Sequence, residues 1–177
     1  GQPESGENIG PAPVAERELR TYFFPPFEQV VKRTGIAAVM PSYNEIDGVP
    51  SHANKWLLTD ILRGEWGFQG VVVSDYDAVD QLMSIHHVAG SLEQAAREAL
   101  DAGVDMDLPD GLSFGTLVDQ VRAGKVSEAQ IDRAVRYVLD MKFRSGLFEN
   151  PYADASAAVA ATHTQAAQDL ATEAAKK

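Results

Sequence analysis

The sequence predicts an α/β protein, and three observations carry that reading. Short apolar runs at 36–40 and 71–73 and an alternating one at 104–108, where Val104, Met106 and Leu108 are separated by Asp105 and Asp107, each bounded by glycine or proline or running straight into polar residues, alternate with longer stretches whose apolar residues recur at helical spacing. Strand, helix, strand, helix, strand, helix is the order that implies parallel strands joined by right-handed crossovers. The middle run, inside GFQGVVVSDYD at 67–77, is apolar without interruption, as a strand buried on both faces must be. Finally, the chain turns polar as soon as the first two runs end, at Ser42, Tyr43 and Asn44 and again at Ser74, Asp75, Tyr76 and Asp77. In parallel folds the carboxyl ends of strands are where chemistry is placed.

The elements follow in order. Residues 1–13, GQPESGENIGPAP, lack apolar periodicity and read as a surface loop. Residues 14–33 carry Leu19, Phe23, Phe24, Phe27, Val30 and Val31 at mostly helical spacing, and Pro25-Pro26 is expected to break them into two short helices, the second ended by Gly35. After the first strand a polar loop holds the turn pair Asp47-Gly48. Asn54 is then placed to cap a helix on which Leu57, Leu58, Ile61, Leu62 and Trp66 recur. Beyond Asp77 a weakly periodic segment reaches Gly90. Ser91 and Gln94 have capping-box spacing ahead of Leu92, Ala95, Ala96, Ala99 and Leu100, with Gly103 as the stop. Pro109 ends the third strand, and 112–123 reads as a helix. Ser127 and Gln130 open a long helix striped by Ile131, Ala134, Val135, Val138, Leu139 and Phe143, which ends near Gly146. Past Pro151 the composition turns alanine-rich, and a last helix is expected over 164–177.

Composition narrows the function. With 177 residues and 45% hydrophobic content the chain suffices for one domain with a sizeable core. A net charge of −11, from 26 acidic and 15 basic residues, argues against nucleic acid and membrane surfaces as partners and fits a soluble enzyme acting on neutral substrates. The absence of cysteine excludes thiolate and disulfide chemistry and leaves the compartment open, cytoplasmic or secreted. No signal peptide and no apolar run of about 18 residues is present, and Gly1 reads as an interior position.

The stretch 39–77, VMPSYNEIDGVPSHANKWLLTDILRGEWGFQGVVVSDYD, resembles the catalytic barrel of glycoside hydrolase family 3, and the resemblance runs on through EALDAGVDMDLP to Tyr152. The resemblance implies a partial (β/α)8 TIM barrel, about its last three βα units. Residues 1–152 would be the C-terminal part of the catalytic barrel, and 153–177 a helix or linker toward a second domain. It also implies a retaining glycosidase that removes terminal β-D-glucosyl residues from β-glucosides or short oligosaccharides, with β-xylosides as the alternative substrate. Asp75, after the Val-Val-Ser run, matches the family's nucleophile. Met40 matches a position that lines the sugar site and Tyr43 one near the nucleophile; Tyr43, at the end of the neighbouring strand, is placed to donate a hydrogen bond to Asp75. Tyr76 replaces a tryptophan found in many relatives and could stack on a pyranose. Neither cofactor nor metal is implied.

Retaining hydrolysis needs two carboxyl groups about 5 Å apart. The family's acid/base is a glutamate of the second domain, or a His-Asp pair in one subgroup, and 1–13 contains neither His nor Asp. The chain alone is therefore expected to be inactive, with the rest of the barrel and the second domain as its partners. Plainer readings stand beside these. Asp75 could cap a helix and Met40 could pack in the core. Tyr43 could bond only to backbone, and Asp77 could cap the following turn. Asp105 and Asp107, on the last strand, resemble the family's AG-x-D motif, which implies a structural part or one that supports the site from behind its contact residues. His86 and His87, being adjacent, cannot share a helical face as metal ligands would; they read as solvated or capping, with one of them reaching an outer subsite as the alternative. A Schiff-base lyase lacks its lysine, since Lys32, Lys55, Lys125 and Lys142 all fall on helices or helix starts. A phosphate barrel would use Gly111 and Gly115 but has no basic residue nearby before Arg122. A non-catalytic carbohydrate-binding or assembly fragment remains the third class.

Overall fold

A computed structural model describes residues 2–177, so the expectation for Gly1 lies outside it. The chain divides into two compact units, Gly1–Lys142 and Phe143–Lys177. In the first, the strands are short: β1 (Ala38–Val39), β2 (Glu45–Ile46), β3 (Val49–Pro50) and β4 (Val71–Val72). β1 and β4 are parallel, with Ala38 opposite Val71 and Val39 opposite Val72. A parallel bridge from Val73 to Met106 brings the third apolar run to the other edge of β4. The three runs thus lie side by side as the alternation requires, and Val71 and Val72 are buried in the centre.

The third run is not a continuous strand, and a side chain is the reason. Asp105 N donates to the Val72 carbonyl at 2.8 Å, while Asp105 Oδ2 accepts from Val72 N, also at 2.8 Å. The carboxylate takes the place that a ladder carbonyl would fill. Arg63 Nη2 closes on the same oxygen at 2.6 Å, and its guanidinium lies 3.7 Å from the centre of the Tyr137 ring. The Asp105 side chain is 0% exposed. Burial pushes its carboxyl up to about 6, against the pull of the Val72 N–H and of Arg63.

Helices flank this core. The expected break at Pro25-Pro26 does not occur: α1 (Glu16–Glu18), a π-helical turn (Leu19–Phe23) and α2 (Phe24–Thr34) follow without a gap. Both prolines stand at the start of α2, and the widened turn ahead, closed by Phe24 N on the Leu19 carbonyl, admits their rings. The helix after Asn54 is also of π type (Trp56–Glu65), and Asn54 Oδ1 caps it by accepting from Leu57 N at 3.0 Å. Its buried Leu58, Ile61 and Leu62 meet Ala95, Ala99 and Ala102 of α4 (Leu92–Ala102), whose small side chains allow close approach. Before α4 comes the single turn α3 (Gln81–Ser84). The first capping box forms with a shift of one residue: Ser91 Oγ accepts from Gln94 N, but Gln94 Oε1 reaches Gly90 N.

Residues 112–123 form a 3₁₀ turn (Phe114–Thr116) and α5 (Leu117–Arg122) instead of one helix, because Asp107 Oδ2 accepts from both Ser113 N and Phe114 N at 3.1 Å and fixes where the turn starts. The second capping box is reciprocal as expected, at the head of α6 (Glu128–Arg144). Of its stripe, Ala134 is buried and Ile131 half-buried, whereas Val135 and Leu139 are exposed. The second unit holds α8 (Gln165–Ala175), within the expected range, and α7 (Ala155–Ala161), which the sequence reading missed in the alanine-rich tract. Among the described residues no helix is long and apolar enough to cross a membrane.

Two stability predictions follow from the β4 environment. A Cβ on Gly70 would collide with the Ala37 carbonyl of the preceding-strand segment and sit 2.6 Å from Phe68 Cζ. Gly70→Ala should therefore lower stability by about 1–3 kcal/mol in denaturant melts, and an unchanged midpoint would count against this packing. Arg63→Leu strands the buried Asp105 and should remove about 3–5 kcal/mol. Since the folded Asp105 carboxyl, at about 6, lies above its ordinary 3.8, its contribution to stability is fully present below 3.8 and lost as pH rises through about 6. The Arg63→Leu variant should accordingly regain stability relative to wild type between about pH 8 and pH 5, and a gap that widens on acidification would refute the assignment.

Candidate active site

Parallel pairing of β1 and β4 puts their carboxyl ends at one edge of the sheet, and the chain leaves both strands into polar loops there. Asp75 follows β4 by three residues and is half-buried. Its Oδ1 accepts from Tyr76 N at 2.7 Å and lies 2.8 Å from the Tyr43 hydroxyl. That hydroxyl is also 2.8 Å from the Tyr76 carbonyl, so its one proton is shared between two acceptors. Among the described residues Asp75 Oδ2 makes no hydrogen bond, and no second carboxyl enters the hydrogen-bonding shell of Asp75. The side chain does not cap a helix: its backbone donor is the next residue, and α3 begins only at Gln81.

Desolvation, aided by the bond to Asp75, pushes the Tyr43 hydroxyl up to about 12, which keeps it a donor at neutral pH. Met40, one residue beyond β1, is 58% exposed, and Tyr76 is 59% exposed. Core packing is thereby excluded for Met40 within this chain. Asp77 sits at φ 60, donates its N–H to the Leu108 carbonyl and accepts from Gln81 N through its own carbonyl, so the turn is closed by backbone and not by the side chain expected. Asp105 and Asp107 hold backbone amides, as their structural reading required.

Under these residues lies a layer of buried polar groups. The β2–β3 hairpin turns at Asp47-Gly48 with φ 50 and 79, the double positive φ of a tight primed turn. Ser51 Oγ donates to the Asn44 carbonyl at 2.7 Å. His52, only 2% exposed, accepts the Asp75 N–H on Nε2 at 3.1 Å. Burial pulls the imidazole down to about 4, although the Asp75 charge acts the other way, so the ring is neutral near pH 7. His86 corrects the expectation of a solvated side chain: its side chain is 5% exposed, with Nδ1 3.2 Å from Glu45 Oε1 and Nε2 3.0 Å from the Tyr43 carbonyl. His87 Nδ1 lies 3.0 Å from the Met83 carbonyl at the end of α3, in a capping position.

Sequence reasoning singled out Asp75 and Tyr43 and anticipated their contact. It passed over His52, which lies in a loop with no periodicity. The only local signal was a histidine enclosed between Pro50 and the helix cap Asn54.

Comparison with known proteins gives concordant matches. The sequence model of the glycosyl hydrolase family 3 N-terminal domain matches residues 1–141. This corrects the expectation of a C-terminal part of the catalytic barrel, because the domain matched is the N-terminal one; the motifs at 39–77 carry the resemblance but do not number the strands. A lysosomal β-glucosidase of Dictyostelium discoideum is 43% identical over 162 residues, 90% of this chain and 20% of that protein. A β-xylosidase of Formosa agariphila is 40% identical over 158 residues, 84% of this chain and 22% of that protein. The solved structure of a β-glucosidase from Erythrobacter marinus superposes with a TM-score of 0.93 at 40% identity, over 97% of this chain and 23% of that one. The chain thus spans about a fifth of the length of the relatives it matches.

The raised tyrosine can be tested without an activity assay. Titration of phenolate absorbance should contain a component near pH 12 that Tyr43→Phe removes. A Tyr43→Phe trace that superposes on wild type would contradict the Tyr43–Asp75 contact.

Proposed function

Since the chain belongs to glycosyl hydrolase family 3, we propose that it carries the nucleophile of a retaining glycoside hydrolase that cleaves terminal β-D-glucosyl residues from β-glucosides or short oligosaccharides. The observation that carries this reading is the Asp75 carboxylate: it stands beyond the carboxyl end of β4, held at Oδ1 by Tyr76 N and the Tyr43 hydroxyl, with Oδ2 unengaged. In the first half-reaction Oδ2 bonds to the anomeric carbon as the bond to the leaving oxygen breaks, and that oxygen takes a proton from a general acid. In the second, water adds at the same carbon, gives its proton to the group that supplied the first, and the ester bond to Asp75 breaks to restore the carboxylate. Met40, one residue beyond β1, and Tyr76, next to Asp75 in sequence, are both exposed and offer surface for the C–H-rich face of the sugar.

The parallel arrangement of β1, β4 and the Met106 bridge supports placing these residues on a (β/α)8 barrel. We assign the general acid and the remaining sugar contacts to residues outside this sequence, since the relatives are about five times as long. On that assignment the 177 residues by themselves lack activity. A β-xyloside is the second reading, favoured by the 40% identity to a β-xylosidase. Aryl β-glucoside and aryl β-xyloside hydrolysis by the intact protein separates the two.

Asp75→Ala should lower the hydrolytic rate by on the order of 10⁴-fold with the fold retained. A 2-fluoro-glycoside, which arrests the covalent intermediate, should label the peptide that contains Asp75. Label on any other residue would disprove the assignment, and an intact protein that cleaves neither glycoside would leave the non-catalytic binding module as the better reading.

A further inference from the structure

We infer that His52 is a positioning residue for the Asp75 carboxylate, an inference that rests on Asp75 being the nucleophile. Val71 N and Val73 N donate to the carbonyls of Ala37 and Val39 on the β1 side, and Ser74 N donates to Met106 on the other. Val72 N is taken by Asp105 Oδ2. Asp75 N is the first amide past the end of these strand pairings, and a parallel sheet offers it nothing. His52 Nε2 accepts it at 3.1 Å, which extends the ordered backbone by one residue, to the residue that bears the carboxylate.

Only a neutral ring with Nε2 unprotonated can do this, because an imidazolium has donors on both nitrogens. The site secures that state. His52 is enclosed on the turn Ser51–Ala53, and burial disfavours the charged form, outweighing the Ser42 backbone, which favours it. The charges that face the ring are Asp75, which favours protonation, and His86, which opposes it. The turn is itself fixed, with Ser51 Oγ on the Asn44 carbonyl at 2.7 Å and Asn54 capping the next helix. With the Asp75 amide held by His52 and Oδ1 held by Tyr76 N and Tyr43, the direction in which Oδ2 points is determined from both ends of the residue. Removal of the acceptor strands a half-buried N–H. The backbone can relieve that only by moving, and the carboxylate moves with it.

The test uses the intact protein, whichever of the two aryl glycosides it hydrolyses, and the matching 2-fluoro-glycoside. His52→Leu should lower kcat and the rate of covalent trapping by about tenfold to a hundredfold while KM changes by less than about threefold, since His52 does not touch the sugar. His52→Gln, whose amide oxygen can accept the same N–H, should recover most of the loss. Equal losses in the two variants, or wild-type kcat in His52→Leu, would overturn the inference while label on Asp75 leaves the nucleophile standing. Label elsewhere, or hydrolysis of neither glycoside, would overturn the nucleophile assignment and this inference with it. Should His52→Leu fail to fold, a neutron structure of the wild type decides: a bare Nε2 facing the Asp75 N–D supports the role, and a deuteron on Nε2 excludes it.

Discussion

A single desolvated carboxylate, that of Asp105, organises the sheet on which everything else is mounted. It exchanges two hydrogen bonds with Val72, one through its amide and one through its side chain, and draws in the Arg63 guanidinium from the π-type helix. Arg63 also reaches the Gly70 carbonyl at 3.1 Å, so the entry to β4 and its centre are held by one helix side chain. Burying an ion pair is costly, and Asp105 Oδ1 has no hydrogen-bond partner among the described residues. What the arrangement supplies is register. A sheet of two-residue strands has few ladder bonds to define its alignment, and a charge that fits only one position defines it instead.

The same device recurs around the site. Ser74, fully buried, accepts from Leu108 N on its hydroxyl, Ser51 serves the Asn44 carbonyl, and His52 serves Asp75. In each case a side chain stands where a longer sheet would place a backbone group. The strands can therefore be short, and the loops beyond them remain tightly specified. Precision at the carboxyl ends comes from this polar layer more than from extended pairing.

Some of this was legible in the residues. The valine run announced a buried strand because a strand covered on both faces is made mostly of apolar, often β-branched side chains, and Val71 and Val72 are so covered. Capping boxes at Ser91 and Ser127 were readable because their geometry is local, closed within four residues. Tyr43 and Asp75 could be paired since parallel neighbours end at the same level. Illegible were the contacts that depend on two distant segments at once. Asp105 reads as one more acid in an alternating run until Arg63 is brought beside it, and His52 reads as a loop residue until β4 ends above it. The prolines after Phe24 misled because their effect depends on whether the preceding turn can widen, which no propensity states. The stripe of α6 predicted a helix correctly, but periodicity marks a face and does not say that the face is covered: Val135 and Leu139 are open here.

The hydrogen bonds on Asp75 are distributed unevenly between its two oxygens, and in the role proposed for it that asymmetry would bear on both half-reactions. Once Oδ2 is esterified to a sugar, Oδ1 becomes the carbonyl oxygen of that ester, still in the grip of the Tyr76 amide and the Tyr43 phenol. Those donors draw electron density away from the ester link and so make the aspartate easier to expel when water arrives. The feature that aims the attacking atom would also hasten its departure.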